Sequence, residues 1–152
     1  MLFNRGFIVS VIAHLFNWGV KETKTDKKKR SLKLIAELME RYQPKVFVVE
    51  DYGGKGSRRC QRVGELINDI SKVALKRGIR VKSVSRLKVK QVFFESGASN
   101  KHEIAVAIAN QFPELAPRLP RFRKPWMSED YRMSIFDAVG FGLAFVHSKT
   151  KG

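Results

Sequence analysis

Hydrophobic residues along the chain follow two spacings, one typical of strands and one typical of helices. Residues 46–49, Val-Phe-Val-Val, are four consecutive apolar residues, the pattern of a central strand buried on both faces. Over residues 26–42 the apolar positions recur every three or four residues, which predicts a helix before this strand. A second helical stripe covers residues 63–74, and a strand is predicted over residues 79–84. This alternation predicts an α/β fold.

Segments on either side of this core add further elements. Two apolar segments, residues 6–13 and 15–23, are rich in β-branched and aromatic residues and predict an amino-terminal hairpin of two strands. Asn100 and Glu103 have the spacing of a capping box, which predicts a helix over residues 101–111. A chain of 152 residues is long enough to bury the core of one domain, and a single domain is therefore expected.

The charge of the chain indicates the class of its partner. Thirty Lys and Arg residues against 14 Asp and Glu give a formal charge of +16, on a chain that is 43% hydrophobic and should therefore fold. A surface this basic favours a nucleic acid partner over an anionic membrane surface. Cys60 is the single cysteine, which excludes an internal disulfide and favours a reducing cytoplasm. No apolar run approaches the length of a membrane span, so no membrane association is expected.

Acidic residues stand at two positions where the surroundings are apolar. Glu50 and Asp51 directly follow the predicted central strand, and ligands usually bind at the carboxyl ends of strands in open α/β sheets. A final helix, with Ser128 as its expected cap, carries Asp137 among apolar residues. A buried carboxylate needs a partner, which is either a cation shared with Glu50 or a salt bridge to an arginine. Oxygen ligands without clustered cysteine or histidine favour Mg²⁺ or Mn²⁺ over zinc.

Basic residues flank these acids along the chain. The loop after the central strand mixes glycines with lysine and arginine, which suits contact with phosphates, although many glycine-rich loops are only turns. Its spacing does not match a P-loop. More basic residues lie in a short helix predicted over residues 85–94 and at the start of the capped helix. The residues predicted to contact nucleic acid are Lys55, Arg58, Arg59, Arg86, Lys88, Lys90 and Lys101.

The order of these motifs resembles the RuvC family of Holliday-junction resolvases, within the RNase H-like fold. The strand that ends in Glu50 resembles that family's strand with a catalytic glutamate at its end. Residues 89–104 resemble in spacing the stretch that carries two functional lysines, here Lys90 and Lys101. Residues 136–144 resemble the closing helix with its Asp-Ala-Leu-Ala-type motif, here carrying Asp137. The resemblance covers most of the chain and implies a mixed central sheet flanked by helices on both faces.

Two features depart from the family's pattern. The family's first strand carries a catalytic aspartate shortly before a glycine-rich turn, and residues 4–7 resemble the end of that turn. We therefore expect one domain over residues 1–152 whose first strand is truncated at the amino terminus and whose aspartate is missing. The position one turn before Asp137, often aspartate in the family, is Ser134. Asp51 and Asp130 are the candidates to substitute as metal ligands.

The resemblance implies a structure-selective DNA endonuclease, dependent on Mg²⁺ or Mn²⁺, that cuts branched or duplex DNA by a two-metal mechanism in recombination and repair. Glu50 and Asp137 would be metal ligands, with Lys90 and Lys101 at the catalytic site. Resolvases of this family act as dimers, so a homodimer is a further expectation.

Three readings stay open. Because the first-strand aspartate is missing, we expect weak metal binding and little or no cleavage by this chain. A non-catalytic nucleic-acid-binding protein of the same fold is therefore the alternative to the endonuclease. A relative of sugar kinases or ATPases is disfavoured, because their glycine-rich phosphate loops with Asp and Thr are not seen in the sequence.

Overall fold

A computed structural model of the protein describes residues 7–9, 24–54 and 61–150. The predicted alternation of helices and strands between residues 24 and 84 is confirmed, with boundaries that differ by up to two residues. In chain order the elements are β1 (Phe7–Val9), α1 (Lys24–Tyr42), β2 (Val46–Glu50), α2 (Gln61–Lys76), β3 (Arg80–Val84), α3 (Arg86–Phe94), α4 (Lys101–Gln111), a 3₁₀ helix (Pro113–Arg118) and α5 (Met133–Thr150).

The strands of the described chain form a parallel sheet in the order β1, β2, β3. Val46 pairs with Phe7 on one side and with Arg80 on the other. The expected mixed sheet needs antiparallel strands, and the strands described here are all parallel. Most of the predicted amino-terminal hairpin, including the whole of residues 15–23, lies outside the described residues. What the structure describes of it is β1, which pairs with β2.

Strand β2 is buried on both faces, as its apolar run predicts. All five of its residues are buried, and their side chains alternate between two apolar clusters. Val46 and Val48 pack with residues of α3, α4 and α5. Phe47 and Val49 pack with residues of α1 and α2 on the other face. The expected layers of helices on both faces of the sheet are therefore confirmed for the described residues.

Short turns at the ends of α1 and α2 lead the chain into β2 and β3. Gln43 has φ 43°, in the left-handed region, and its backbone N–H closes α1 on the carbonyl of Met39 at 2.9 Å. Pro44 cannot continue the helix, so the chain enters β2 directly. Gly78, at φ 72°, ends α2 in the same way and leads into β3. Both strands consequently run in one direction and end side by side.

The last helix begins later than its predicted cap. We expected Ser128 to cap it, but α5 begins at Met133. Asp130 is the residue that turns the chain, since its carboxylate accepts a hydrogen bond from the backbone N–H of Arg132 at 2.9 Å. An aspartate that bonds the backbone two residues on makes a turn of its own, which delays the helix. The helix over residues 101–111 and its capping box are confirmed.

None of the helices that the structure describes is long and apolar enough to cross a membrane.

Candidate functional site

Three elements meet where the parallel strands end, and each delivers one charged side chain. Glu50 is the last residue of β2 and shares the face of Val46 and Val48, because side chains alternate along a strand. That face is covered by α5, which carries Asp137 in its second turn. Directly after the neighbouring strand β3, Ser85 caps α3 by accepting a hydrogen bond from the backbone N–H of Lys88 at 3.2 Å. Arg86 is therefore the first residue of α3, at the same edge of the sheet.

The guanidinium of Arg86 bridges the two carboxylates. Its Nε lies 3.0 Å from Oε1 of Glu50, and its Nη2 lies 3.3 Å from Oδ2 of Asp137. The side chains of Glu50 and Asp137 are 8% and 13% exposed, so both charges are largely removed from water. The guanidinium also lies 5.6 Å from the centre of the Phe141 ring. Glu50 and Asp137 thus share one cation, and among the described residues that cation is an arginine.

The carboxylates hold Arg86 firmly in its charged form. Burial alone would lower the pKa of this guanidinium, but the charges and hydrogen bonds of Asp137 and Glu50 outweigh burial and raise the pKa above its ordinary value. Pairing of buried charges offsets their desolvation only when the geometry is good and the hydrogen bonds are complete. The three side chains therefore act as one electrostatic unit.

A second cation reaches Asp137 from α4. The Nζ atom of Lys101 lies 2.9 Å from Oδ2 of Asp137 and 2.5 Å from Oε1 of Glu129. Lys101 is the first residue of α4, and the capping box of Asn100 and Glu103 holds that end of the helix in place. The predicted helix start therefore positions a lysine beside the carboxylates.

Arg86 and Asp137 line a cleft of about 430 Å³, and Glu50, which does not line it, is joined to it through Arg86. The volume of the cleft lies within the range of about 300–1,000 Å³ that is typical of small-ligand sites. Lys90, exposed on the next turn of α3, adds a third cation beside Arg86 and Lys101. The polar lining of the cleft includes Arg86, Lys90, Asn100, Lys101, Glu129 and Asp137.

The other predicted metal ligands are engaged elsewhere. The carboxylate of Asp51 lies against Gly54, so closely that a Cβ atom added there would be 2.5 Å from Oδ2. The carboxylate of Asp130 is bound by Arg132, whose Nη2 lies 2.6 Å from Oδ2. This pairing holds the pKa of Asp130 below its ordinary value. Neither aspartate lines the cleft, and a role for either as a ligand stays a prediction.

The basic residues predicted to contact nucleic acid fall into two groups. Those that the structure describes lie on α3 and α4, and all of them except the exposed Lys88 line the cleft. The remaining residues lie outside the described part of the chain: Lys55, Arg58 and Arg59.

Sequence reasoning missed two parts of this site. Arg86 was expected to contact nucleic acid, and its bridge between the two carboxylates was not foreseen, although an arginine salt bridge to Asp137 was an open alternative. A cap at Ser128 would have placed Glu129 in the first turn of the last helix. Because that helix begins at Met133, Glu129 precedes it and pairs with Lys101 instead. A serine cap directly after a strand is the sequence signal that places Arg86 at the sheet edge.

The chemistry of the donor set limits the metal that the site can take. Among the described residues no group of three or more His, Cys, Asp or Glu side chains could hold a metal ion. Mg²⁺ at phosphate sites is often held by one or two carboxylates together with phosphate and water. Glu50 and Asp137 are two carboxylates of this kind, and the guanidinium of Arg86 bonds to both of them. Glu129 is the other carboxylate among the described residues that line the cleft, and it is paired with Lys101.

Parallel strands with helices on both faces define an α/β fold, and here charged side chains converge at the carboxyl edge of the sheet. Comparison with solved structures identifies the fold as that of RuvC. The structure of RuvC from Thermus thermophilus matches with a TM-score of 0.64 and 18% identity, over 89% of this chain and 75% of that one. T. thermophilus RuvC in complex with a Holliday junction substrate matches with a TM-score of 0.61 and 17% identity, over 89% and 76%. No protein-family model and no curated protein matches the sequence.

Proposed function

We propose that this protein is a structure-selective DNA endonuclease of RuvC type that depends on Mg²⁺ or Mn²⁺. One observation carries the proposal: Glu50 and Asp137, far apart in sequence, converge on a single cation beside a cleft lined by lysines. The fold of RuvC and the charge of +16 support DNA as the substrate class. The RuvC neighbour solved with a Holliday junction supports branched DNA in particular.

The basic residues of the cleft would hold the DNA backbone. Lys90 is exposed at the cleft, and Lys101 is fixed at the capped start of α4. Contacts of this kind position a strand without reading its sequence, and they weaken as salt rises. The guanidinium of Arg86 orients both carboxylates and has the planar donor geometry that suits phosphate oxygens. We propose that these three residues place one phosphate over Glu50 and Asp137.

Glu50 and Asp137 would hold the divalent ion. When bound, such an ion polarises a phosphate oxygen and activates water as the nucleophile. A mechanism with two ions, as the resemblance implies, needs further carboxylates at the cleft. Asp51 and Asp130 remain our candidates for that role. Asp130 would have to leave Arg132, and the carboxylate of Asp51 would have to turn from Gly54 toward the cleft.

The test is cleavage of a four-way junction, a duplex and an RNA–DNA hybrid in the presence of Mg²⁺ or Mn²⁺. The variant Glu50→Gln keeps the shape of the side chain and removes its charge. Glu40→Gln, on the exposed face of α1, is the matched control. The missing first-strand aspartate makes weak cleavage the expectation, and we expect whatever cleavage occurs to be lost in Glu50→Gln and retained in Glu40→Gln. Cleavage that survives in Glu50→Gln would overturn the proposed role of this carboxylate.

A non-catalytic nucleic-acid-binding protein is the second candidate, and Arg86 favours it. Its guanidinium already neutralises both carboxylates, which reduces the need for a metal ion. Binding of junction DNA with a steep salt dependence and without cleavage, by both the unmodified chain and Glu50→Gln, would support this candidate. Direct titration with Mn²⁺, followed by electron paramagnetic resonance, separates the two. The endonuclease binds Mn²⁺ and loses it in Glu50→Gln, whereas the second candidate binds none.

The assembly and location of the protein follow from the same proposal. A four-way junction offers two symmetric strands, so we propose that the protein acts as a homodimer. We propose the cytoplasm as its location because Cys60 is its single cysteine. Sedimentation with and without junction DNA tests the dimer. A monomer at saturating junction would contradict it.

A further inference from the structure

The segment between the 3₁₀ helix and α5 exposes large apolar side chains among basic ones. Residues 121–129 are all exposed. Within them Phe122 is 68% and Trp126 is 77% exposed, far more than packing into a core would leave. Apolar side chains of this size, grouped on the surface of a highly charged protein, mark a binding surface. We name residues 121–127 the aromatic-basic loop; its cations are Arg121, Arg123 and Lys124.

The tip of the aromatic-basic loop is a defined turn. The backbone N–H of Met127 donates to the carbonyl of Lys124 at 3.0 Å, and Pro125 stands at the second position, where its ring favours a β-turn. Nη1 of Arg123 donates to the carbonyl of Met127 at 2.7 Å and ties the turn to the preceding chain. Trp126 occupies the third position and projects into solvent. Its backbone is held while its ring stays accessible, so little ordering is needed on binding.

Two contacts place the aromatic-basic loop beside the cleft. The ring of Phe122 packs edge-on against His102, in the first turn of α4, with ring centres 5.4 Å apart. Glu129, just after the loop, pairs with Lys101 and lines the cleft. A strand whose phosphate lies in the cleft would therefore meet the loop within a short distance.

The chemistry of the aromatic-basic loop matches unpaired bases. Nζ of Lys124 lies 5.3 Å from the centre of the Trp126 ring, so an aromatic face and a cation are presented together. Bases stack on aromatic rings while cations hold the adjoining phosphates, and this combination is typical of single-strand binding. Base pairs inside a duplex hide both faces of each base.

We infer that the aromatic-basic loop binds unstacked bases of single-stranded or branched DNA, with Trp126 as the stacking residue and Arg121, Arg123 and Lys124 as phosphate contacts. The inference rests on the proposed binding of DNA in the cleft. It adds to that proposal a preference for DNA with unpaired nucleotides close to the bound phosphate.

Fluorescence of Trp126 tests base contact directly. The chain has two tryptophans, so the substitution Trp18→Phe leaves Trp126 as the single reporter. We expect oligothymidine to quench this fluorescence, and an abasic oligomer of equal length to bind through its phosphates with little quenching. Equal quenching by both oligomers would overturn the inference. So would a response to anionic phospholipid vesicles together with no response to oligothymidine, because the loop would then be a membrane contact.

Affinity measurements give the size of the effect. Trp126→Ala should weaken oligothymidine binding by roughly five- to a hundredfold and change duplex binding by less than about twofold. The matched control is Tyr42→Ala, an aromatic residue that is 49% exposed at the end of α1, on the other face of the sheet. It should leave both affinities unchanged. Equal loss for oligothymidine and duplex would contradict stacking.

The two proposals fail in different ways. If Trp126→Ala leaves binding of every DNA unchanged while Lys101→Ala weakens it, the loop inference is wrong and the cleft still binds DNA. If Trp126 is quenched and Trp126→Ala weakens binding while substitutions at Glu50 and Lys101 change neither binding nor cleavage, the loop binds bases independently of the cleft. The proposed function of the cleft is then wrong.

Discussion

Both faces of β2 bury apolar side chains, more of them on the face of Val46, and the two faces differ in the polar groups that the described residues enclose. On the face of Phe47, covered by α1 and α2, the buried polar residue is Ser31, whose hydroxyl donates to the carbonyl of Lys27 at 2.9 Å within its own helix. The opposite face, covered by α3, α4 and α5, ends in the unit of Glu50, Arg86 and Asp137. One face needs only packing, and the other also encloses charge.

The ion pairs on the two faces of the sheet differ in the same way. On the first face Lys28 and Asp69 join α1 to α2 at 2.5 Å, with side chains that are 41% and 30% exposed. Exposed pairs of this kind contribute little to stability. On the second face three charges are kept largely out of water, where a set of apolar side chains would often be as stable or more so. Stability alone therefore does not explain the buried unit, which supports a role in binding or chemistry.

The largest loss of stability should come from a substitution on the face of Phe47, which contributes only packing. Phe47 is fully buried, so Phe47→Ala removes a ring from a closed core and should cost about 3–5 kcal/mol of unfolding free energy. Denaturant unfolding measures this loss. DNA affinity per folded molecule should stay unchanged, because Phe47 points away from the cleft. A change in affinity at full folding would break the division between the two faces.

On the other face of the sheet, substitution of Arg86 should cause the largest loss of stability. Arg86→Met keeps most of the volume and leaves two largely buried carboxylates without their shared cation, so we expect a loss of about 3 kcal/mol. Adding Asp137→Asn should recover part of that loss, since it removes one of the two largely buried carboxylate charges that Arg86 bridged. Arg77→Met, at the exposed end of α2, should change stability by less than about 0.5 kcal/mol. If Arg86→Met were as stable as Arg77→Met, the carboxylates of Glu50 and Asp137 would not depend on Arg86 for their stabilisation.

Local patterns explain what the sequence could predict. The apolar run of β2 and the capping box of α4 depend on neighbouring residues, and both appear where expected. The start of α5 was predicted wrongly, because Ser128 and Asp130 both have side chains that can turn the chain and only the structure shows that Asp130 does so. Competition between two residues of similar propensity is not decided by local pattern.

The candidate site was predictable in part. Burial of Glu50 and Asp137, together with the resemblance, indicated that these acids share a cation. The identity of that cation depends on how far α3 lies from α5, a distance that no periodicity encodes. The same holds for Glu129, which meets Lys101 across 28 positions of sequence. Long-range pairs of charged side chains were therefore the part that sequence reasoning missed.

Lysines on the two faces provide a matched pair for DNA binding. Lys101 lines the cleft and Lys28 lies on the α1–α2 face, and both are partly exposed and paired with carboxylates. Lys101→Ala should weaken junction binding and lower the slope of log affinity against log salt by about 1, as expected for one lost phosphate contact. Lys28→Ala should leave the slope unchanged. Equal slopes in the two variants would show that Lys101 does not make the predicted phosphate contact.

The smallest effect concerns the cap that holds Lys101 at the cleft. The backbone N–H and the hydroxyl of Ser99 donate to Oε2 of Glu103 at 2.7 and 2.8 Å, and the N–H of Asn100 donates at 3.3 Å. These hydrogen bonds favour the ionised form and hold the pKa of Glu103 below its ordinary value. A carboxyl group with a lowered pKa in the folded state adds stability above its unfolded pKa, and that stability is lost as the pH falls through the folded pKa.

Glu103→Gln should therefore destabilise the protein slightly at neutral pH, and its difference from the unmodified chain should shrink once the pH falls below about 4. Denaturant unfolding at both pH values measures the change. Glu114→Gln, exposed on the 3₁₀ helix, should show no such trend. Because the cap sits at the start of α4, Glu103→Gln should also weaken junction binding at neutral pH, by less than Lys101→Ala. A difference from the unmodified chain that grows on acidification would show that the cap does not act through its charge.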